Sequence, residues 1–177
     1  MVLSDSMILD LRGIEDFPAS VSLTAGPETF SPFAEGVTGI TRISVDLTIQ
    51  QTGEEFFCQA RVVGQIVLEC ARCLKEFPDE LVGRTNFIVT DDKARVAGKM
   101  DEDAEEYVQM TSDQTADLGD VVRQELLLAM PMKPVCDENC KGLCPSCGTN
   151  LNTASCSCTV KRTDGRWQGL SDLLNNT

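Results

Sequence analysis

Six of the nine cysteines lie within 23 residues, and this cluster limits the folds open to the chain more than any other feature. The stretch reads Cys136-D-E-N-Cys140-K-G-L-Cys144-P-S-Cys147-G-T-N-L-N-T-A-S-Cys156-S-Cys158. Cysteines one to three residues apart can direct two sulfurs from one turn at a tetrahedral Zn²⁺, about 2.3 Å from each. Pro145 fixes the turn and Gly148 can adopt a positive φ. The spacing therefore predicts zinc knuckles.

A further C-x-x-C pair, Cys70-A-R-Cys73, lies upstream. Two zinc sites would use eight thiols. The grouping we favour closes a compact loop at the end of the cysteine-rich segment and joins the upstream pair to the beginning of that segment. One site then takes Cys144, Cys147, Cys156 and Cys158, and the other takes Cys70, Cys73, Cys136 and Cys140. An alternative grouping, which joins 136/140 to 144/147 and 70/73 to 156/158, stays open. The ninth cysteine, Cys58, has apolar neighbours and is predicted to be a buried core thiol.

Four cysteines close the coordination sphere of zinc, which makes such a site structural. The chain has no histidine, so histidine-based bases and triads are excluded. We therefore expect no enzymatic activity and no small-molecule substrate. The alternative is a thiol-based redox protein or redox-switched chaperone, because Arg72 in the upstream pair would favour a thiolate. No βαβ pattern supports that alternative.

The charge is unevenly distributed along the chain. Residues 1–132 contain 10 Lys/Arg and 24 Asp/Glu, a net charge of −14, whereas residues 133–177 contain 5 and 4, a net charge of +1. An acidic body argues against broad adhesion to nucleic acid, but Lys161, Arg162 and Arg166 of the tail could contact RNA phosphates. The first residues have no apolar signal region and no run is long enough to span a membrane, so a cytoplasmic protein is expected.

The body reads mainly as strands, which alternate in hydrophobicity at 7–11, 20–24 and 40–50. Residues 56–70 are predicted to form a longer strand or a strand pair, and residues 81–90 another strand. Gly64 suggests a β-bulge. Residues 91–116 form an acidic loop, and residues 117–129 form a helix that Asp117 caps. The predicted fold is α+β: a mainly antiparallel sheet or partly open barrel with one principal helix. Residues 1–132 would form the acidic β-rich domain, and residues 133–177 a cysteine-rich zinc-binding lobe with a short terminal helix.

Several motifs together resemble one family. They are V-L-E-C-A-R-C-L-K-E-F at 67–77, E-L-L-L-A-M before Pro131, K-G-L-C-P-S-C-G-T-N-L-N at 141–152 and the closing C-S-C at Cys158. In this order they resemble the YceD family, the large ribosomal RNA subunit accumulation proteins, over about residues 5–175. The resemblance implies a cytoplasmic bacterial protein that supports accumulation or processing of 23S rRNA and is not known to be an enzyme.

These observations predict a ribosome-biogenesis factor of the large subunit with two structural Zn²⁺ ions. Its partner would be a large-subunit rRNA precursor or a basic ribosomal protein, since an acidic surface attracts basic partners. A transcription-associated zinc ribbon is a weaker alternative, because the ribbon follows a sheet domain.

Overall fold

The computed structural model describes residues 7–31, 33–97 and 106–158. Its strands are β1 (Ile8–Asp10), β2 (Ala19–Ala25), β3 (Val37–Thr52), β4 (Glu55–Glu69), β5 (Glu76–Thr90), β6 (Tyr107–Gln109) and β7 (Thr115–Asp117). Its α-helices are α1 (Lys93–Ala97) and α2 (Gly119–Ala129), and a 3-10 turn spans Pro27–Phe30. No helix among these residues is long and apolar enough to cross a membrane.

Five strands form an open sheet in the order β2-β3-β4-β5-β6, and β1 pairs with β7 in a separate two-stranded sheet. The pairs from β2 to β5 are antiparallel, whereas β6 runs parallel to β5. The long strands β3, β4 and β5 alternate between buried and exposed residues, the pattern of a sheet with one covered face. This architecture confirms the predicted fold class, with an open sheet rather than a closed barrel.

One face of the sheet is covered by α2, the 3-10 turn and the β1–β7 ribbon, which share a single apolar core with it. Leu118, Val121, Val122 and Leu126 are buried, as the helical periodicity predicted. The helix begins at Gly119, two residues later than predicted. The predicted cap is also wrong: Leu118 is the N-cap residue, without a side-chain capping bond, whereas Asp117 ends β7 and its carboxylate accepts a hydrogen bond of 2.9 Å from the Gly119 N–H.

The region predicted as one acidic loop contains more regular structure than expected. In 91–97 and 106–116 the chain forms α1, β6 and the first residues of β7. β6 extends the sheet edge because the Ile88 N–H donates to the Glu106 carbonyl, and Val108 is buried beside β5. Short segments such as these carry too little periodicity to be recognised in the sequence.

The predicted bulge at Gly64 is wrong. Gly64 pairs regularly with Ile43 and Leu81, and the irregular register lies instead in β3, before Arg42. Gly64 faces α2, where an added Cβ would lie 2.9 Å from a methyl carbon of Leu126. Gly83, on the neighbouring strand, similarly gives room to Glu125. The two glycines let the helix approach the sheet closely.

Substitution of Gly64 by Ala should destabilise the protein by about 1–3 kcal/mol, because Leu126 is fully buried and must move to accept the methyl group. Urea denaturation measures the loss. Gly26→Ala is the matched control, since no atom lies within 4 Å of its added Cβ. Equal stabilities for the two variants would contradict the close packing of α2 on β4.

Candidate metal centres

The loop that joins β4 to β5 is a knuckle built around Cys70 and Cys73. The Cys70 N–H donates to the Lys75 carbonyl at 3.0 Å, and the Leu74 N–H donates back to the Cys70 carbonyl at 2.9 Å. The Arg72 N–H points at the Cys70 sulfur, 3.4 Å away. Leu74 holds a φ of 58°, a left-handed conformation that favours glycine. The turn thus directs two sulfurs and a backbone donor to one side.

The segment after α2 lies against this knuckle. The Ala71 N–H donates to the Pro134 carbonyl at 2.8 Å, and the Leu143 N–H donates to the Arg72 carbonyl at 3.1 Å. The Arg72 guanidinium donates to the carbonyls of Glu138 and Cys140, at 3.0 and 2.9 Å. These bonds attach residues 134–143 to the end of the sheet.

The first cluster of sulfurs forms where these two segments meet, and it contains Cys70, Cys73, Cys136 and Cys140. The sulfurs of Cys70 and Cys140 are 3.9 Å apart, those of Cys73 and Cys136 are 3.6 Å apart, and all four lie within 4.8 Å of one another. A tetrahedral ion about 2.3 Å from four sulfurs requires them to be about 3.8 Å apart. The cluster therefore has the dimensions of a four-thiolate metal site. Three of its cysteines are buried.

The second cluster contains Cys144, Cys147, Cys156 and Cys158, whose sulfurs also lie within 4.8 Å of one another. Its knuckle closes through the Gly148 N–H to the Cys144 carbonyl and the Cys144 N–H to the Thr149 carbonyl, both at 2.8 Å. Gly148 takes the positive φ expected from the sequence, 71°. Cys147 and Cys158 are exposed, so this cluster is more open to solvent than the first.

Asn152 connects the two clusters. It belongs to the loop of the second cluster, yet its Nδ2 donates to the Cys140 sulfur of the first at 3.3 Å. Its Oδ1 accepts the Lys141 N–H at 2.7 Å. Gly142, with a φ of 72°, lies so close to the Arg72 carbonyl that an added Cβ would be 2.9 Å from that oxygen. A glycine and an amide thus hold the clusters side by side.

Thiol ionisation in the first cluster is uneven. Burial acts to raise the pKa of Cys70, but hydrogen bonds from the backbone of Cys136, Cys73 and Arg72 outweigh it and lower that pKa to about 6. Burial, followed by the neighbouring thiols, raises the pKa of Cys136 to about 12. For Cys140 burial is again opposed, by the Asn152 amide and the Gly142 N–H, and the pKa is lowered.

The second cluster follows the same pattern. The Thr149 hydroxyl, 3.1 Å from the Cys147 sulfur, is the main cause that lowers the pKa of Cys147 to about 6. The neighbouring Cys147 thiol, followed by burial, raises the pKa of Cys158 to about 12. Four thiolates repel one another unless a cation lies between them, and a bound divalent metal ion compensates their negative charge. Both donor sets therefore suit a metal ion.

The structure groups the eight cysteines in the way favoured from the sequence, and it does not bring together the sulfurs of the alternative grouping. Sequence reasoning missed Asn152 and the guanidinium contacts of Arg72. Asn152 is part of the K-G-L-C-P-S-C-G-T-N-L-N motif, but its role depends on a contact twelve residues back in the chain. Lys161, Arg162, Arg166 and the predicted terminal helix lie outside the described residues.

Cys58 belongs to neither cluster. It lies in the sheet core with no exposed surface, and burial raises its pKa to about 12. This matches the core thiol predicted from its apolar neighbours.

Together, an open sheet and two four-cysteine clusters in the C-terminal region define a protein that can hold metal ions at the end of its sheet. The family described as large ribosomal RNA subunit accumulation protein YceD matches residues 58–174, a range that contains all eight clustered cysteines. The chain belongs to this family, as the sequence resemblance predicted.

Proteins similar to this chain occur in Mycobacterium and in plants. An uncharacterized protein of Mycobacterium tuberculosis is 32% identical over 133 residues, which cover 75% of this chain and 62% of the relative. A chloroplastic YCED homolog 1 of Zea mays, named for large ribosomal RNA subunit accumulation, is 29% identical over 155 residues, 74% of this chain and 51% of the relative. The chain thus spans about three fifths of the length of the mycobacterial relative. No solved structure matches this chain at a significant level.

Substitution of Asn152 by Ala should lower metal affinity in the first cluster by about 10- to 100-fold, because it removes a donor to a ligand sulfur. Competition with a chromophoric chelator measures the change. Asn139→Ala is the matched control, since the hydrogen bond at that residue comes from its backbone N–H. An Asn152→Ala affinity equal to that of the control would show that the amide does not support the site.

Proposed function

We propose that this protein is a non-enzymatic ribosome-biogenesis factor that supports 23S rRNA processing and assembly of the large subunit. The observation that carries the proposal is the YceD family match across both cysteine clusters, because this family is named for large ribosomal RNA subunit accumulation. The family name describes an accumulation protein and not an enzyme. The partners we propose are an rRNA precursor or a basic ribosomal protein, in the cytoplasm.

Each cluster would hold one structural Zn²⁺, with the eight clustered cysteines as ligands. Tetrahedral four-sulfur sets suit zinc or iron–sulfur chemistry, and closed sites with knuckle turns are typical of structural zinc. In the first site the ion would tie the β4–β5 loop to the segment after α2. In the second it would fold the loop from Cys144 to Cys158 onto itself. Residues 133–177 would then form a lobe attached to the acidic body of residues 1–132.

Simultaneous substitution of Cys144 and Cys147 by Ser should release about one metal ion per chain and loosen the second loop, since metal-binding energy is local folding energy. Elemental analysis gives the metal content and circular dichroism gives the sheet content. Cys58→Ala is the control, because it removes a thiol that belongs to neither cluster. Global loss of sheet signal in the double variant would contradict a separately stabilised lobe.

The biological role is tested by deleting the gene and measuring rRNA. We expect mature 23S rRNA to fall relative to 16S rRNA, with large-subunit precursors accumulating, and expression of the wild-type chain to restore the ratio. An unchanged ratio would contradict the proposed function. Normal rRNA together with metal-free protein containing oxidised cysteine pairs would favour the redox or chaperone alternative.

A further inference from the structure

The face of the sheet opposite α2 is exposed at its centre. The register aligns four side chains across β2, β3, β4 and β5: Ser22, Asp46, Arg61 and Arg84. The next row consists of hydroxyl and amide side chains, among them Gln59 and Asn86. The side chains of both rows line a shallow cleft of about 610 Å³. We call these two rows the arginine face.

The two arginines of this face lie directly opposite each other on neighbouring strands. Like charges in that position destabilise a sheet. Asp46, the other neighbour of Arg61, instead accepts a hydrogen bond of 2.8 Å from the Ser22 hydroxyl. Among the described residues, no carboxylate lies within ion-pairing distance of either guanidinium. The Arg61–Arg84 pair therefore does not stabilise the fold. An external anion bound between the two guanidinium groups would relieve their repulsion.

The surrounding groups indicate the chemistry of that anion. A guanidinium binds a phosphate through two parallel hydrogen bonds, and amide and hydroxyl groups add neutral donors. Phe57, partly exposed, lies on the same face two residues from Gln59, at a distance of about 7 Å along the strand. Phe57 thus lies four residues from Arg61, about 13 Å along the strand, and an aromatic ring on a face that also carries cations is the combination that binds successive nucleotides of a single strand.

We propose that the arginine face binds single-stranded RNA, with Arg61 and Arg84 at backbone phosphates and Phe57 against a base. The choice of RNA over an acidic protein segment rests on the aromatic ring and on the proposed function. The acidic remainder of the body does not prevent a local contact, because salt screens exposed charges beyond about 8 Å under physiological conditions. Net charge therefore excludes broad adhesion but not this site.

The test measures fluorescence anisotropy of a labelled single-stranded oligouridine with the full, metal-loaded chain. The double variant R61Q/R84Q should bind about tenfold more weakly or worse, since each arginine donates charged hydrogen bonds. The slope of the logarithm of the binding constant against the logarithm of the salt concentration should become shallower by about 1.4. This is about 0.7 for each phosphate that an arginine no longer neutralises. Asp46→Asn, which removes the negative charge beside Arg61 but still accepts from Ser22, should tighten binding.

Arg12→Gln is the control for loss of an arginine outside this face, because Arg12 follows β1 on the other side of the core and should not affect binding. The thermal midpoint of R61Q/R84Q should stay close to that of the wild type, because loss of the repulsion between the arginines is offset by loss of the attraction between Arg61 and Asp46. An unchanged midpoint excludes unfolding as the cause of weaker binding.

Unchanged RNA affinity in R61Q/R84Q would overturn the proposal, as would loss of binding confined to a K161E/R162E/R166E variant. Arginine-dependent binding of polyglutamate that RNA fails to displace would identify an acidic-protein surface instead. Any of these results, together with a 23S rRNA deficit in the deletion strain, would refute RNA binding at the arginine face without contradicting the proposed function.

Discussion

The last part of the described structure, residues 134–158, depends on the junction between the β4–β5 loop and the segment after α2. Four sulfurs from segments more than sixty residues apart in sequence meet there, and Arg72 adds hydrogen bonds to two carbonyls of the incoming segment. The second cluster is attached to this junction through Gly142 and Asn152. Without the junction, residues 134–158 would have few contacts with the sheet, because the apolar cluster at this end consists mainly of cysteines.

The sheet and helix provide a rigid base for that junction. Gly64 and Gly83 bring α2 close to β4 and β5, which fixes where the chain leaves the helix and turns toward the knuckle. The exit is short, since the helix ends at Ala129 and the Pro134 carbonyl already accepts a hydrogen bond from the knuckle. The geometry of the first cluster thus follows from helix–sheet packing as much as from the cysteines themselves.

The long strands, α2 and the cysteine pairs could be predicted because each has a local signal: alternation, helical periodicity or close thiol spacing. Which pairs share a cluster has no local signal, and the sequence left a second grouping open. β6 and β7 could not, since they lack such a signal and form by pairing with β5 and β1, which are distant in sequence. The prediction for Gly64 was wrong because a strand glycine signals a bulge and a close approach equally well. The arginine face could not be predicted either, because Arg61 and Arg84 become neighbours only through the register of β4 and β5.

We propose that two closed metal sites hold the C-terminal region in place. Native mass spectrometry of the chain, purified under reducing conditions without added zinc, tests this most directly. We expect two Zn²⁺ ions per chain, with all eight clustered thiols protected from alkylation. A metal-free chain, or one lighter by about two hydrogens for each oxidised cysteine pair, would contradict it.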